Sequence, residues 1–217
     1  METIRLILVD DHNLFHQSIG QSLKKEERFT VVAQADSGES AIGLAAEYRP
    51  DIMIMDINMP DMNGMEATRQ ILAENAAIKI LALTMHSEKP YVLGMLNAGA
   101  VGYLLKSCTY TELLAAIETV FYGKVYLSPD ISHLVTNQVI NPDNFTTDDL
   151  LKLSPREREV LQLIAEGHTS REIGAKSGIS SKTVDIHRNN LKKKLEIHTI
   201  AGLTKFAIAR GITSAHL

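Results

Sequence analysis

Four short apolar runs, each followed directly by a polar side chain, constrain the fold of this chain most strongly. LILV (6–9) precedes Asp10 and Asp11, IMIM (52–55) precedes Asp56, KILAL (79–83) precedes Thr84, and VGYLL (101–105) precedes Lys106. Helix-length segments separate these runs, which indicates βα units and a parallel sheet. Ligands bind such a sheet at the edge formed by the carboxyl ends of its strands. The sequence therefore predicts that three carboxylates, a hydroxyl and an ammonium group converge in one crevice.

The chemistry of the predicted crevice suits phosphoryl transfer to an aspartate. Carboxylates in close proximity repel one another unless a hard cation joins them. Mg²⁺ prefers a few protein oxygens together with phosphate and water. The ammonium group of Lys106 is a compact positive charge suited to a phosphoryl group. These residue types therefore predict a Mg²⁺ site at which an aspartate becomes phosphorylated.

The first 125 residues have the pattern of a doubly wound α/β domain. Helical patterns lie near 13–25, 38–48, 64–74, 88–98 and 109–122, with glycine and proline turn signals between the elements. Five strands and five helices predict a flavodoxin-like domain with a five-stranded parallel sheet in the order 2-1-3-4-5. Residues 126–150 contain two prolines and many Asn, Asp, Ser and Thr residues. They are predicted to be a linker with one short helix at 130–139.

The pattern is entirely helical in the third segment, residues 151–217. Ser154, Pro155 and Glu157 form a capping box with proline at the first helical position. The following helix is predicted to end near Gly167, and three more are predicted at 170–177, 181–195 and 200–210. The two helices joined across Gly178 match a helix-turn-helix, whose second helix enters the major groove of DNA. This segment is therefore predicted to be an all-α four-helix domain.

Charge is divided unevenly along the chain. Residues 1–125 hold 10 Lys and Arg against 16 Asp and Glu, residues 126–150 hold none against 4, and residues 151–217 hold 12 against 6. Only the last segment is basic, so it is the part expected to meet a polyanion. The single cysteine, Cys108, forms no internal disulfide, and no spacing of His or Cys suggests zinc. Without a long apolar run or a cleavage site, a soluble cytoplasmic protein with no membrane partner is expected.

Six strings, distributed over both predicted domains, follow a recognisable pattern. Those in the first domain, LVDDH (8–12), MDINMPDMNG (55–64), ALT (82–84) and GYLLK (102–106), are similar to the pattern of a receiver domain. LSPREREVLQLIAEGHTSREI (153–173) and ISSKTVDIHRNNLKKKL (179–195) are similar to a LuxR-type helix-turn-helix. Over nearly its whole length, the chain therefore resembles a two-component response regulator of the NarL/FixJ family. The resemblance implies a transcription regulator controlled by a sensor histidine kinase. It also implies an active homodimer on paired DNA half-sites, with RNA polymerase as a further candidate partner.

The resemblance implies a role for each residue of the crevice. Asp56 would be the phosphoacceptor, and Mg²⁺ would be bound by Asp11, Asp56 and the backbone carbonyl of Asn58, with Asp10 acting largely through water. Lys106 would pair with the phosphoryl oxygens, Thr84 would turn towards the new phosphate, and Tyr103 would move inward. We further hypothesise that Asn58 and His86 tune the lifetime of the acyl phosphate, since each lies two residues beyond a site residue.

The predicted recognition helix presents a polar face opposite the apolar stripe of Val184, Leu191 and Leu195. The residues expected to contact phosphates are Lys182, Arg188, Lys192 and Lys193. Those expected to read bases are Thr183, Asp185, Ile186 and Asn189. His187 is predicted either to contact the DNA backbone or to pack against the scaffold. We hypothesise that Asp185 sets specificity, because its carboxylate can accept from a cytosine amino group.

Two other functions compete with a phosphorylation-switched regulator. One is a phosphorylation-independent DNA-binding protein that uses the receiver only as a dimerisation module. The other is a Mg²⁺-dependent phosphatase with an aspartyl nucleophile. Enzymes of that kind need a carboxylic acid two residues after the nucleophile, and Asn58 cannot serve as that general acid. The chain is therefore expected not to be an enzyme, apart from phosphorylating itself and hydrolysing the acyl phosphate at Asp56.

Overall fold

The computed structural model describes residues 3–140 and 152–213, with side chains except at 13–17 and 137–140. The chain divides into two compact units, Met1–Pro142 and Asp143–Leu217. The last part of the predicted linker, 141–150, lies outside the described residues.

The first unit alternates strands with helices. In chain order its elements are β1 (Ile4–Val9), α1 (Asn13–Leu23), β2 (Phe29–Ala35), α2 (Gly38–Tyr48), β3 (Ile52–Met55), α3 (Gly64–Glu74), β4 (Lys79–Thr84), α4 (Lys89–Asn97), β5 (Gly102–Leu105), α5 (Tyr110–Phe121), β6 (Tyr126–Leu127) and α6 (Pro129–Ile140). The strands form one sheet in the order β2-β1-β3-β4-β5-β6, and every neighbouring pair is parallel. The predicted flavodoxin-like order is confirmed for the first five strands.

The sheet is buried on both faces, which explains why its strands are continuous apolar runs. Alternate residues of a strand point to opposite faces. In β1, Ile7 and Val9 belong to one apolar cluster, and Leu6 and Leu8 belong to the other. Since both clusters are covered by helices, the polar residues that end the strands are left at one edge of the sheet.

The sheet contains one strand more than predicted. Tyr126 and Leu127 pair with Gly102 and Tyr103 of β5, although the sequence assigned them to a linker. Ile131 of α6 is fully buried in the same cluster as Tyr103. The predicted short helix is present as α6, but it belongs to the first unit and is not part of a linker. The strand was missed because it has two residues and its stability comes from pairing with a distant edge strand.

The second unit consists of four described helices: α7 (Pro155–Ala165), α8 (Ser170–Lys176), α9 (Ser181–Leu195) and α10 (Ile200–Ala209). The predicted capping box of Ser154 and Glu157 is present at α7. A second box, formed by Thr169 and Glu172, begins α8. Gly178 has φ +64° in the turn between α8 and α9, a conformation that favours glycine. None of the helices described in either unit is long and apolar enough to cross a membrane.

The carboxylate of Glu157 connects the start of α7 to the end of α9. Glu157 is 3% exposed. Its Oε2 accepts a hydrogen bond from the backbone N–H of Ser154 at 2.8 Å and another from Lys194 Nζ at 2.6 Å. Lys194 Nζ also donates to the backbone carbonyl of Lys152 at 3.1 Å. A buried charge with these partners stabilises the unit only while it is ionised.

We expect Glu157→Gln to remove a pH-dependent part of the stability of the second unit. Burial raises the pKa of Glu157, but hydrogen bonds from Lys194 and Ser154 lower it by more, so the net pKa lies below its ordinary value. A carboxylate with a lowered pKa stabilises the folded state above its unfolded pKa, and this contribution is lost as pH falls through the folded pKa. Glutamine can still close the capping box. The variant should therefore be less stable than the wild type at neutral pH and equally stable in acid.

Urea unfolding of both proteins, followed by circular dichroism at neutral and acid pH, measures this difference. All six tyrosines lie at or before residue 126, so tyrosine fluorescence reports the first unit and provides an internal control. The same loss of stability at both pH values would show that the charge of Glu157 contributes nothing.

Candidate functional site

Two carboxylates and one ammonium group lie buried together at the carboxyl edge of the sheet. Asp10 follows β1, Asp56 follows β3, and they are 3% and 4% exposed. Lys106 Nζ lies 2.7 Å from Asp10 Oδ2 and 2.6 Å from Asp56 Oδ2. The other oxygen of Asp56 accepts from the backbone N–H of Ile57 at 2.7 Å. The sequence predicted this convergence, and the structure brings these three predicted residues into direct contact.

The buried cluster contains two acidic groups, Asp10 and Asp56, and one basic group, Lys106. Burial raises the pKa of Asp56 and the neighbouring Asp10 adds to the effect, while Lys106 acts in the opposite direction; the net pKa is above its ordinary value. Burial lowers the pKa of Lys106, but the two carboxylates raise it by more, so the ammonium form is favoured. One lysine therefore serves two buried carboxylates, and a further cation would be stabilised here.

The donor set fits a small divalent cation. One ligand atom from each of Asp10, Asp11, His12 and Asp56 lies within 4.8 Å of the others. Three of these residues are carboxylates, the ligands that Mg²⁺ prefers, whereas the imidazole nitrogen is not. His12 Nδ1 instead lies 2.8 Å from Asp11 Oδ1 and 3.1 Å from Asp10 Oδ1. His12 was not predicted as a member of this site, although its position directly after two aspartates was a usable signal.

The backbone of His86 connects the two residues predicted to act as a switch. Thr84 is fully buried at the end of β4, and its hydroxyl accepts from the backbone N–H of His86 at 3.4 Å. Tyr103 is also fully buried, and its hydroxyl donates to the backbone carbonyl of His86 at 2.8 Å. Burial raises the pKa of Tyr103, so the phenol remains a donor. In this conformation the side chain of Tyr103 lies inside, and its expected inward movement on phosphorylation stays a prediction.

The side chains of Asn58 and His86 contact each other beside the acidic cluster. Asn58 Nδ2 lies 2.7 Å from His86 Nε2. The imidazole stacks on Tyr91 of α4, with 4.1 Å between ring centroids and an interplanar angle of 19°. Tyr91 is itself buried. The sequence predicted that each residue flanks the site, and the structure adds that they form one unit anchored to α4.

The recognition helix α9 has the predicted two faces. Val184 and Leu191 are fully buried, and Leu195 packs partly against the same cluster. The predicted DNA-contacting residues that are exposed are Lys182, Asp185, Ile186, Asn189 and Lys193. Those that are half-buried are Thr183, His187, Arg188 and Lys192.

Three of the predicted DNA-contacting residues have side-chain hydrogen bonds within the domain: Thr183, Asp185 and Arg188. Thr183 shares a hydrogen bond of 2.8 Å with the capping hydroxyl of Ser180. His187 has its Nδ1 buried, which favours packing against the scaffold over contact with the DNA backbone. Asp185 accepts a hydrogen bond from Ser170 of α8. Ser170 was not predicted from the sequence, because a serine at the start of a helix gives no sign of a partner on another helix.

Each of the two units matches a known protein family. Residues 6–118 match the response regulator receiver domain, and residues 151–207 match the luxR family of bacterial regulatory proteins. A receiver fold with this acidic site, followed by a helix-turn-helix unit, defines a response regulator of a two-component system.

Relatives along the whole chain specify the family further. The response regulator UvrY of Escherichia coli (strain K12) is 35% identical, over 98% of this chain and 97% of its own length. The transcriptional regulatory protein DegU of Brevibacillus brevis is 36% identical, over 90% of this chain and 89% of its own. A solved structure of two RcsB dimers bound to two parallel DNAs is 25% identical with a TM-score of 0.61, and the match covers 96% of this chain and 99% of that one. The chain belongs to the NarL/FixJ family of response regulators.

Proposed function

We propose that a sensor histidine kinase phosphorylates this chain on Asp56, and that the modified form binds promoter DNA as a homodimer to regulate transcription. The observation that carries the proposal is the position of Asp56, buried and 2.6 Å from Lys106, with Asp10 on the same ammonium group. Asp10, Asp11, Asp56 and the carbonyl of Asn58 would hold Mg²⁺. When bound, the ion neutralises charge on the phosphoryl oxygens.

The residues around Asp56 have different roles in phosphorylation. Lys106 releases one oxygen of Asp56 and pairs instead with a phosphoryl oxygen, keeping its second contact with Asp10. The raised pKa of Asp56 means that a cation in the crevice helps to keep the carboxylate ionised and nucleophilic. The new phosphate adds nearly two charges and three strong acceptors, which attract the hydroxyl of Thr84.

The movement of Thr84 would next affect the backbone of His86. When the hydroxyl of Thr84 turns towards the phosphate, the backbone N–H of His86 loses its acceptor. The carbonyl of the same residue is bonded to Tyr103, so the loop carrying His86 and the β5 side chain respond together. The change that follows would involve this loop, Tyr103 and α4, on which His86 stacks.

The second unit supplies DNA binding. Residues 151–217 hold more basic than acidic side chains, and α9 has an exposed polar face. Both features suit binding to duplex DNA, in which phosphate contacts would give affinity and base contacts would give specificity. RcsB, a structural relative, binds DNA as dimers. A homodimer through α10 is part of the proposal, since Ile200 at its start is 47% exposed. A cytoplasmic location and contact with RNA polymerase complete the proposal.

Incubation with acetyl phosphate, with and without Mg²⁺, tests the proposal when intact mass and binding to random DNA duplexes are measured together. We expect one phosphoryl group per chain, gained only with Mg²⁺, and tighter, selective DNA binding in the modified form. Selective DNA binding without any phosphoryl uptake would favour the phosphorylation-independent alternative. Release of inorganic phosphate with many turnovers would favour the phosphatase alternative.

We expect His86→Ala to shorten the lifetime of the acyl phosphate. The imidazole fixes the amide of Asn58 through a hydrogen bond of 2.7 Å and is itself fixed by stacking on Tyr91. Loss of one such bond, worth about 0.5–1.5 kcal/mol, corresponds to roughly two- to tenfold faster hydrolysis. Decay of the phosphorylated species after removal of acetyl phosphate gives the rate.

His133 provides the matched control for that measurement. It lies exposed on α6 in the same unit, so His133→Ala should leave the lifetime unchanged. An unchanged lifetime in His86→Ala would remove His86 from the proposed role.

A further inference from the structure

A chain of two hydrogen bonds joins the two helices of the helix-turn-helix on their exposed side. Arg188 Nη1 of α9 lies 2.6 Å from Ser170 Oγ, and Ser170 Oγ lies 2.8 Å from Asp185 Oδ1. Ser170 is the first residue of α8, whereas the other two lie three positions apart on α9. A hydroxyl from one helix thus bridges a cation and an anion on the face of the other.

The direction of both bonds follows from the chemistry of the three groups. A guanidinium group can only donate, an ionised carboxylate can only accept, and a hydroxyl can do both. Arg188 therefore donates to Ser170, and Ser170 donates its single proton to Asp185. Each bond includes one charged partner, which makes it stronger than a bond between neutral groups. Ser170 thus has no proton left for a DNA phosphate while this chain of bonds is intact.

The bridge fixes two side chains that would otherwise be free to turn. Asp185 is exposed, and a free carboxylate at that position would sample several rotamers. Residues three apart on a helix are neighbours, so without the hydroxyl the two charged groups would be drawn into direct contact. Asp185 would then point along the helix to Arg188. With the hydroxyl in place, one carboxylate oxygen is occupied and the other is held in a constant orientation.

We propose that Ser170 is a specificity-determining positioning residue, which fixes Asp185 so that its free oxygen reads one base pair. The proposal rests on the proposed reading of DNA by α9. The base partner would be a donor in the major groove, such as the amino group of cytosine or adenine. A carboxylate held in advance loses less conformational freedom on binding and discriminates better than a mobile one. Specificity therefore comes partly from a helix that need not touch the base.

We expect the unit to fold without this bridge. The contact between α8 and α9 is built on Ile173, Val184 and Leu191, all fully buried. Ser170 is only half-buried. Removal of its hydroxyl should therefore leave the domain folded and change how it reads DNA.

The test uses the full chain, phosphorylated with acetyl phosphate and Mg²⁺, on a duplex selected from a random library by the wild type. Dissociation constants are measured on that duplex and on its single-base variants for wild type, Ser170→Ala, Ser170→Thr and Asp185→Ala. We expect Ser170→Ala to lose discrimination at one base pair by about tenfold, and Ser170→Thr to regain it because the hydroxyl is restored. Asp185→Ala should lose discrimination at the same base pair, and the double alanine variant should lose no more.

Lys193→Ala is the control for a variant that loses affinity for DNA but keeps the base preference of the wild type. Lys193 is exposed near the end of α9. Its loss should weaken binding to all duplexes alike and reduce the salt dependence. Ser170→Ala should instead keep the wild-type salt dependence, a result that a merely structural role would not produce.

The possible outcomes distinguish a failure of the role proposed for Ser170 from a failure of DNA reading by α9. A wild type without any base preference would overturn both the reading of DNA by α9 and the role of Ser170. A selective wild type with the same base profile in Ser170→Ala would overturn the role of Ser170 alone. If Ser170→Ala does not fold, as judged by circular dichroism, Asp185→Ala decides: an unchanged base profile in that variant overturns the inference.

Discussion

We expect Asp56→Asn to abolish the uptake of a phosphoryl group from acetyl phosphate in the presence of Mg²⁺, and this is the largest functional effect that we expect. An amide is not a nucleophile towards phosphorus, and it removes one of the charges that would hold the cation. Intact mass after incubation gives the result directly. We also expect DNA binding by the variant to be unaffected by acetyl phosphate.

Asp61→Asn is the matched control, because Asp61 is exposed in the same loop after β3. Its φ is +65°, a conformation that asparagine tolerates well. This control should take up phosphate like the wild type. Full uptake by Asp56→Asn would place the phosphoryl group on another side chain and remove the central residue of the proposed mechanism.

The same Asp56→Asn variant should be at least as stable as the wild type without Mg²⁺. The pKa of Asp56 is raised, first by burial and then by Asp10. A carboxylate with a raised pKa binds more protons folded than unfolded, so stability falls as pH rises through that window. Asparagine removes this cost at neutral pH. The loss of uptake would then be chemical and would not reflect unfolding.

Gly64→Ala should cause the largest loss of stability. Gly64 is the first residue of α3, and a Cβ there would lie 1.9 Å from the backbone oxygen of Asp56 and 3.1 Å from the Cα of Ile57. Both atoms belong to backbone that cannot rotate away, so α3 or the loop after β3 must shift. We expect the free energy of unfolding to fall by about 3 kcal/mol or more. Phosphoryl uptake should fall with it, because the shifted loop carries Asp56.

Gly43→Ala provides the opposite case within the same unit. Gly43 lies exposed in α2 with nothing within 4 Å of an added Cβ, and alanine in a helix is favoured by roughly 0.5–1 kcal/mol. Urea unfolding followed by tyrosine fluorescence compares both variants with the wild type. Equal stability of Gly64→Ala and the wild type would mean that the close approach of α3 to Asp56 is relieved at little cost.

The sequence predicted those features that depend on neighbours along the chain. The apolar runs and their following residues gave the strand ends, and the rule for parallel sheets brought Asp10, Asp56 and Lys106 together. The helix bounds were close; α9 was predicted at 181–195 and observed at Ser181–Leu195. Thr169 and Glu172 carried a usable capping signal that was missed.

Features that depend on distant pairing were not predictable in the same way. β6 has two residues and exists because β5 offers it an edge. The position of Tyr103 depends on the carbonyl of His86, seventeen residues away. No local pattern encodes these contacts, since their energy arises only when the partner is already in place.

What the sequence alone determined is the class of the protein: two domains, an acidic crevice at the strand ends and a basic helix. Periodicity, capping residues and chain order are local, and the topology of parallel sheets converts them into a site. Tertiary structure alone decided how the functional groups are held. It joined Asn58 to His86, Glu157 to Lys194, and Ser170 to Asp185 and Arg188. The reason is physical: a hydrogen bond between side chains requires a fit of a few tenths of an ångström, and only the packing of whole helices and strands sets distances that finely.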